Sequence, residues 1–179
     1  MLKSARSYGA TAKALHWLVV VLLIVQYLIG WLMQDVHGGP PGTAMVLHIS
    51  FGILILALIA FRLAWRLMHP VAQDASLPAW QRNLSELVHW LLYAFVLATT
   101  LSGWLFASAR GWTVSLFFAI PLPMLTSQSP ALIYRIDGLH QIMEWTLLAV
   151  IGVHVGAALL HLLVYRDRVL QQMLPGEIS

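Results

Sequence analysis

The sequence predicts an all-α integral membrane protein: a four-helix bundle in a single domain spanning residues 1–179, with both termini cytoplasmic. Three observations carry this expectation. Only 9% of the residues are charged and 60% are hydrophobic, against about 25% charged for an ordinary soluble domain. Four apolar stretches reach the roughly 20 residues a helix needs to cross the hydrocarbon layer. Lysine and arginine gather on one side of those stretches.

The four predicted spans are residues 10–33, 45–67, 84–108 and 138–165. The first is too long for the apolar region of a signal peptide, and no small-residue cleavage site follows it, so it reads as a retained helix. "HGGPPGT" (37–43) breaks the chain between spans one and two, and "HPVAQDASLP" (69–78) between two and three. The third connection, residues 109–136, is the longest and holds Pro121, Pro123 and Pro130. Its "WTVSLFFAIPL" is apolar but too short to span, which suits a segment lying along the interface or capping the bundle. Eight Trp and five Tyr suit aromatic belts at two membrane surfaces.

Positive charge sets the orientation. Lys3, Arg6, Lys13, Arg62, Arg66, Arg82, Arg166 and Arg168 fall on one side, Arg110 and Arg135 on the other. The first side is therefore cytoplasmic. With no cysteine, disulfides, thiolate metal sites and covalent haem attachment are excluded. The formal charge of +3 gives no reason to expect a nucleic-acid partner.

Ionisable residues inside spans are where function is sought first. Of eight histidines, His37 and His69 fall in turns and read as solvated. His16, His48, His89, His140 and His154 lie within spans, and His161 near the end of the fourth. His140 and His154 are fourteen residues apart in "HQIMEWTLLAVIGVH", a rise of about 21 Å with both side chains within about 40° of one face. Asp137 marks the outer boundary, so His140 sits about 5 Å and His154 about 26 Å into a layer roughly 30 Å thick. His48 follows the outward turn and matches His140 in depth, whereas His16 follows Lys13 and matches His154. Two imidazoles facing each other at one depth are what a six-coordinate haem iron takes, and a bundle core is a usual place for it. Single membrane histidines often serve only as polar contacts. Proton relays pair histidine with acids, yet Glu86 and Glu144 are the only acidic residues well within the spans. Two pairs about 20 Å apart cannot share one zinc ion. Two depth-matched pairs point to two b-type haems, His48 with His140 outside and His16 with His154 inside. His89, about 10 Å inside as judged from Arg82, remains open as a ligand. His161 lies about 10 Å below His154 on the same face, which suits a contact at the inner mouth.

"ALHWLVVVLLIVQY" (14–27), "LHISFGILILALIAFRLAWRL" (47–67), "LVHWLLYAFVLATTLSGWL" (87–105) and "GLHQIMEWTLLAVIGVHVGAALLHLLVYRDRVLQQMLP" (138–175) together resemble the bacterial cytochrome b561 family. That family is related to the cytochrome b subunits of nickel–iron hydrogenases. The resemblance implies a multi-pass protein of the bacterial inner membrane with two haem b groups, passing electrons between a periplasmic donor and the quinone pool. Carried over by position, it places the axial ligands on His16, His48, His140 and His154. It also includes superoxide oxidase-like members, which hand the electron to ubiquinone. The chain departs from the family in having "LHLL" (160–163) where two adjacent histidines are common, and "LQQMLP" (170–175) where basic residues are.

The leading functional expectation is a stand-alone oxidoreductase. It takes an electron outside, plausibly from superoxide drawn by Arg110 and Arg135, and delivers it to a ubiquinone held near His161. Its partners are the lipid bilayer, a quinone and the periplasmic donor. Two other classes are an electron-transfer subunit anchoring a hydrogenase or another periplasmic oxidoreductase, and a haem-binding structural or sensor protein. Lys13, Arg62 and Arg66 lie where they could meet haem propionates at the inner edge.

Overall fold

The computed structural model describes residues 8–33, 39–70, 77–167 and 169–174. Lys3, Arg6, His37 and Arg168, used above for charge and turn placement, lie outside the described residues. Four long helices form: α1 Ala10–Leu32, α2 Thr43–Met68, α3 Ala79–Ala109 and α4 Pro130–Leu160. A π-helical turn, His161–Tyr165, extends α4, and a 3₁₀ turn, Leu170–Met173, follows it. All four α-helices are long and apolar enough to cross a membrane.

Helix starts follow local chemistry. Gly9, Gly42 and Pro78 precede α1, α2 and α3 in extended backbone, and Pro130 occupies the first turn of α4, where its missing N–H costs nothing. Two helices outrun their predicted spans. α3 begins at Ala79 rather than residue 84, and α4 at Pro130 rather than residue 138. Hydropathy marks the edge of the hydrocarbon, whereas a 31-residue helix is about 46 Å long and continues into the headgroup zone.

The helices run up and down, each packed on the next in sequence. α4 closes the bundle against α1, where Tyr27 Oη donates to the Glu144 carbonyl at 2.8 Å. The two ends of the described chain meet at one end of the bundle, where Trp17 Nε1 donates to the Met173 carbonyl at 2.8 Å. Large apolar side chains such as Leu18, Val21, Ile24 and Leu28 face outward along α1, as lipid requires. Midway along the bundle Val19, Leu22, Ile55, Ile59, Tyr93, Val96 and Leu147 pack into one apolar cluster drawing on all four helices.

Within the third connection β1 (Ser115–Leu116) and β2 (Ile120–Pro121) pair as a minimal antiparallel hairpin. The apolar segment of the third connection forms this hairpin, laid against the side of α2. Phe117 and Phe118 turn through left-handed backbone (φ 47° and 63°), which side-chain-bearing residues seldom adopt. Fully buried Ser50 holds the turn: its Oγ accepts from Phe117 N at 2.8 Å and donates to the Val46 carbonyl at 2.7 Å. Phe51 stacks edge-on against Phe117, centroids 5.3 Å apart. Ser108, also fully buried, accepts from Leu125 N at 3.1 Å, and Trp112 Nε1 donates to the Gly39 carbonyl at 3.1 Å. Ser50→Ala leaves the Phe117 N–H unpaired, so it should destabilise the protein by about 1–3 kcal/mol. Thermal unfolding in detergent checks this, and an unchanged melting temperature would assign the hold on the hairpin to Phe51 alone.

Candidate functional site

At the hairpin end, His48 on α2 and His140 on α4 line one cavity of about 390 Å³. α1 contributes Gln26 and Tyr27 to its wall, α3 contributes Thr99 and Gly103, and Arg110 joins from just past the end of α3. Both rings are hemmed in by glycine. A Cβ on Gly30 would stand 3.4 Å from His48 Cε1, and one on Gly103 only 3.1 Å from His140 Cε1. Gln26 Nε2 donates to the His48 carbonyl at 3.1 Å and lies 3.1 Å from its Nε2. Among the described residues, no hydrogen-bond partner meets the buried Gln26 Oε1 or His48 Nδ1. His140 Nδ1 lies 2.8 Å from Ser102 Oγ. Arg110 and Arg135 part company. Arg110 lies over the rings of Phe106 and Trp112, 5.0 and 5.3 Å from their centroids, and lines the cavity. Arg135 is exposed and does not.

At the terminal end three histidines converge. The His154 ring centroid lies 6.3 Å from that of His16 on α1 and 5.2 Å from that of His89 on α3. His89 Nδ1 is 2.6 Å from the Ser85 carbonyl. A carbonyl only accepts, so this nitrogen carries the proton and Nε2 keeps its lone pair. Arg62 and Arg66 stand over the Tyr93 ring, Arg66 also over Trp90. Lys13 is buried. His69 is exposed and stacks on Trp65 at 4.1 Å, an ordinary helix-end contact.

His161 begins the π turn, a rare local geometry that recurs at functional sites. Its Nδ1 is 2.5 Å from Asp167 Oδ2, and Asp167 Oδ1 accepts from Val169 N at 3.1 Å. The π turn and the left-handed Arg166 (φ 51°) swing the chain back so that the two side chains meet.

The structure thus places His48 and His140 on one cavity, and both His16 and His89 beside His154. Gln26, Ser102 and Asp167 were not singled out from sequence. Each reaches its histidine through packing or a turn that no local spacing records.

A membrane bundle whose facing helices converge histidines at both ends is a scaffold for redox prosthetic groups. The chain belongs to the prokaryotic cytochrome b561 family, whose sequence pattern matches residues 7–176. It is 27% identical to cytochrome b561 homolog 2 of Escherichia coli K12 over 172 residues, 93% of this chain and 90% of that one. It is 28% identical to the probable superoxide oxidase CybB of Yersinia pestis over 177 residues, 95% and 97% of the two chains. Cytochrome b561 homolog 1 of E. coli K12 is likewise 28% identical over 182 residues, 94% and 97%. This is a bacterial membrane protein that binds b-type haem and transfers electrons. The hairpin-end cavity fits such a group: two imidazoles face it, glycines replace bulk beside both rings, and buried polar atoms around His48 lack partners.

Proposed function

We propose that the protein is a diheme cytochrome of the inner membrane that carries electrons from a periplasmic donor, superoxide, to ubiquinone, working alone and with both termini cytoplasmic. His48 and His140 hold the outer haem, and His16 and His154 the inner one. The observation that carries this reading is the position of the two histidine groups at opposite ends of the bundle. They share α4 through His140 and His154, about 21 Å apart along the helix. At the terminal end the His154 ring centre lies 6.3 Å from that of His16 and 5.2 Å from that of His89. His16 is assigned to the inner haem because, following Lys13, it matches His154 in depth. The haems supply one-electron carriers at two depths. Each superoxide gives up one electron and leaves as dioxygen, and ubiquinone takes two electrons and two cytoplasmic protons.

The test is haem content and turnover of the purified chain. The expected result is two haems per chain by pyridine haemochrome, with superoxide-dependent reduction of a ubiquinone analogue. One haem or none would overturn the diheme reading. Two haems without superoxide oxidation, but with reduction by a partner oxidoreductase, would make the chain a subunit instead.

Arg110 supports an anionic donor, since it adds positive charge to the cavity wall. Arg110→Gln should lower kcat/KM for superoxide about tenfold at low salt, the deficit shrinking as salt screens the field. Rates measured across ionic strength decide it; a deficit independent of salt would assign Arg110 to packing.

His161 supports a quinone near the inner haem. With the Asp167 carboxylate holding Nδ1–H, a proton taken up from the cytoplasmic side onto Nε2 would be donated to a quinone carbonyl. His161→Ala should keep both haems and normal reduction from outside, but slow quinone-dependent haem reoxidation about a hundredfold in stopped flow. Normal reoxidation would remove the role, and loss of the inner haem would make His161 a ligand.

A further inference from the structure

Ser102 is almost fully buried in α3, at 8% exposure. Its Oγ is 2.8 Å from the Thr99 carbonyl and 2.8 Å from His140 Nδ1. A hydroxyl has one proton to give, and a carbonyl has none. The Ser102 proton therefore goes to Thr99, and Oγ accepts from His140 Nδ1–H. That leaves His140 neutral with its lone pair on Nε2, the form that binds a metal. The next residue, Gly103, completes the seat, since even a methyl there would press on His140 Cε1 at 3.1 Å. His48 is treated differently: Gln26 lies against its ring, with the side-chain amide nitrogen 3.1 Å from Nε2, and no side-chain hydroxyl meets its Nδ1 among the described residues. Of the two outer histidines, only His140 has a hydrogen-bonded partner on Nδ1 among the described residues.

We propose that Ser102 is a positioning residue for the outer haem: by accepting the Nδ1 proton of His140 it fixes the ring's tautomer and angle and lowers that haem's reduction potential. This rests on the reading that His48 and His140 hold the outer haem. An acceptor on Nδ1–H pushes electron density toward Nε2 and makes the ring a stronger donor. A stronger donor favours the oxidised iron. Such outer-sphere partners change affinity or activity by about 10–100-fold when removed.

The experiment compares the full chain with Ser102→Ala, Ser102→Thr and His140→Ala in detergent, reading haem content and both midpoint potentials. Ser102→Ala should keep two haems and raise one potential alone. At a fixed poise the oxidised-to-reduced ratio of that haem should fall about tenfold, or about 59 mV for one electron. Ser102→Thr, which restores a hydroxyl, should return the potential toward the original. Loss of one haem in Ser102→Ala with recovery in Ser102→Thr also supports the assignment, because the hydroxyl alone differs in kind. Two unchanged potentials in Ser102→Ala would overturn it. So would haem loss that Ser102→Thr fails to repair, which would make the side chain a space-filler. His140→Ala retaining two haems would instead break the ligand reading, whatever Ser102 does.

Discussion

Replacing either His48 or His140 with alanine should leave one haem per chain, and the same one. The two side chains come from different helices, α2 and α4, and meet only across the hairpin-end cavity. A six-coordinate haem iron depends on both axial nitrogens, so losing either should release the group or leave it weakly held. The His48→Ala, His140→Ala double variant should then lose nothing beyond either single change, because residues acting as one unit are not additive. Pyridine haemochrome with redox titration reads both outcomes. If the two single variants lose different haems and the double variant loses both, the proposed pairing fails.

The terminal end should behave in the same way with one twist. His16→Ala and His154→Ala should each remove the other haem. His89→Ala should keep both, although its ring lies nearer to His154 than that of His16 does. His16 matches His154 in depth along the bundle, whereas His89, its Nδ1 bonded to the Ser85 carbonyl at 2.6 Å, keeps an Nε2 lone pair and is the competing candidate. Haem content of the three variants, measured together, decides the matter. Haem loss in His89→Ala with two haems retained in His16→Ala would transfer the inner ligand role from α1 to α3.

Some of this was legible in the sequence because it follows from fixed quantities. Long apolar runs declare spans, and the helical rise per residue converts position into depth. His140 and His154 could therefore be placed at two levels, and His48 and His16 matched to them. The rotational setting of α3 was not legible. It depends on how Tyr93 and Val96 pack into the mid-bundle cluster, and it is what brings His89 beside His154 and Ser102 beside His140. Asp167 reaches His161 only through a π turn and a left-handed arginine, which helical periodicity does not anticipate. The hairpin hangs on hydrogen bonds between Ser50 and residues more than sixty positions away, accepted from Phe117 N and donated to the Ser115 carbonyl. The helix ends escaped for a plainer reason: Pro78 and Pro130 set where helix begins, while hydropathy reports where lipid does.

The mid-bundle cluster of Val19, Leu22, Ile55, Ile59, Tyr93, Val96 and Leu147 has an electrical meaning. It is an apolar, low-dielectric layer between the two histidine groups. An electron can tunnel through such a layer, whereas a hydrated ion or a proton needs polar stepping stones to cross it. On the proposed orientation each electron moving from the hairpin end to the terminal end carries negative charge inward without a compensating proton, so turnover is electrogenic. An inside-negative membrane then opposes the transfer, by up to about 2.3 kcal/mol per electron for each 100 mV if the whole potential falls between the two groups. On the proposed diheme reading, the insulation between the two redox levels would also make the protein's rate sensitive to the energised state of the cell.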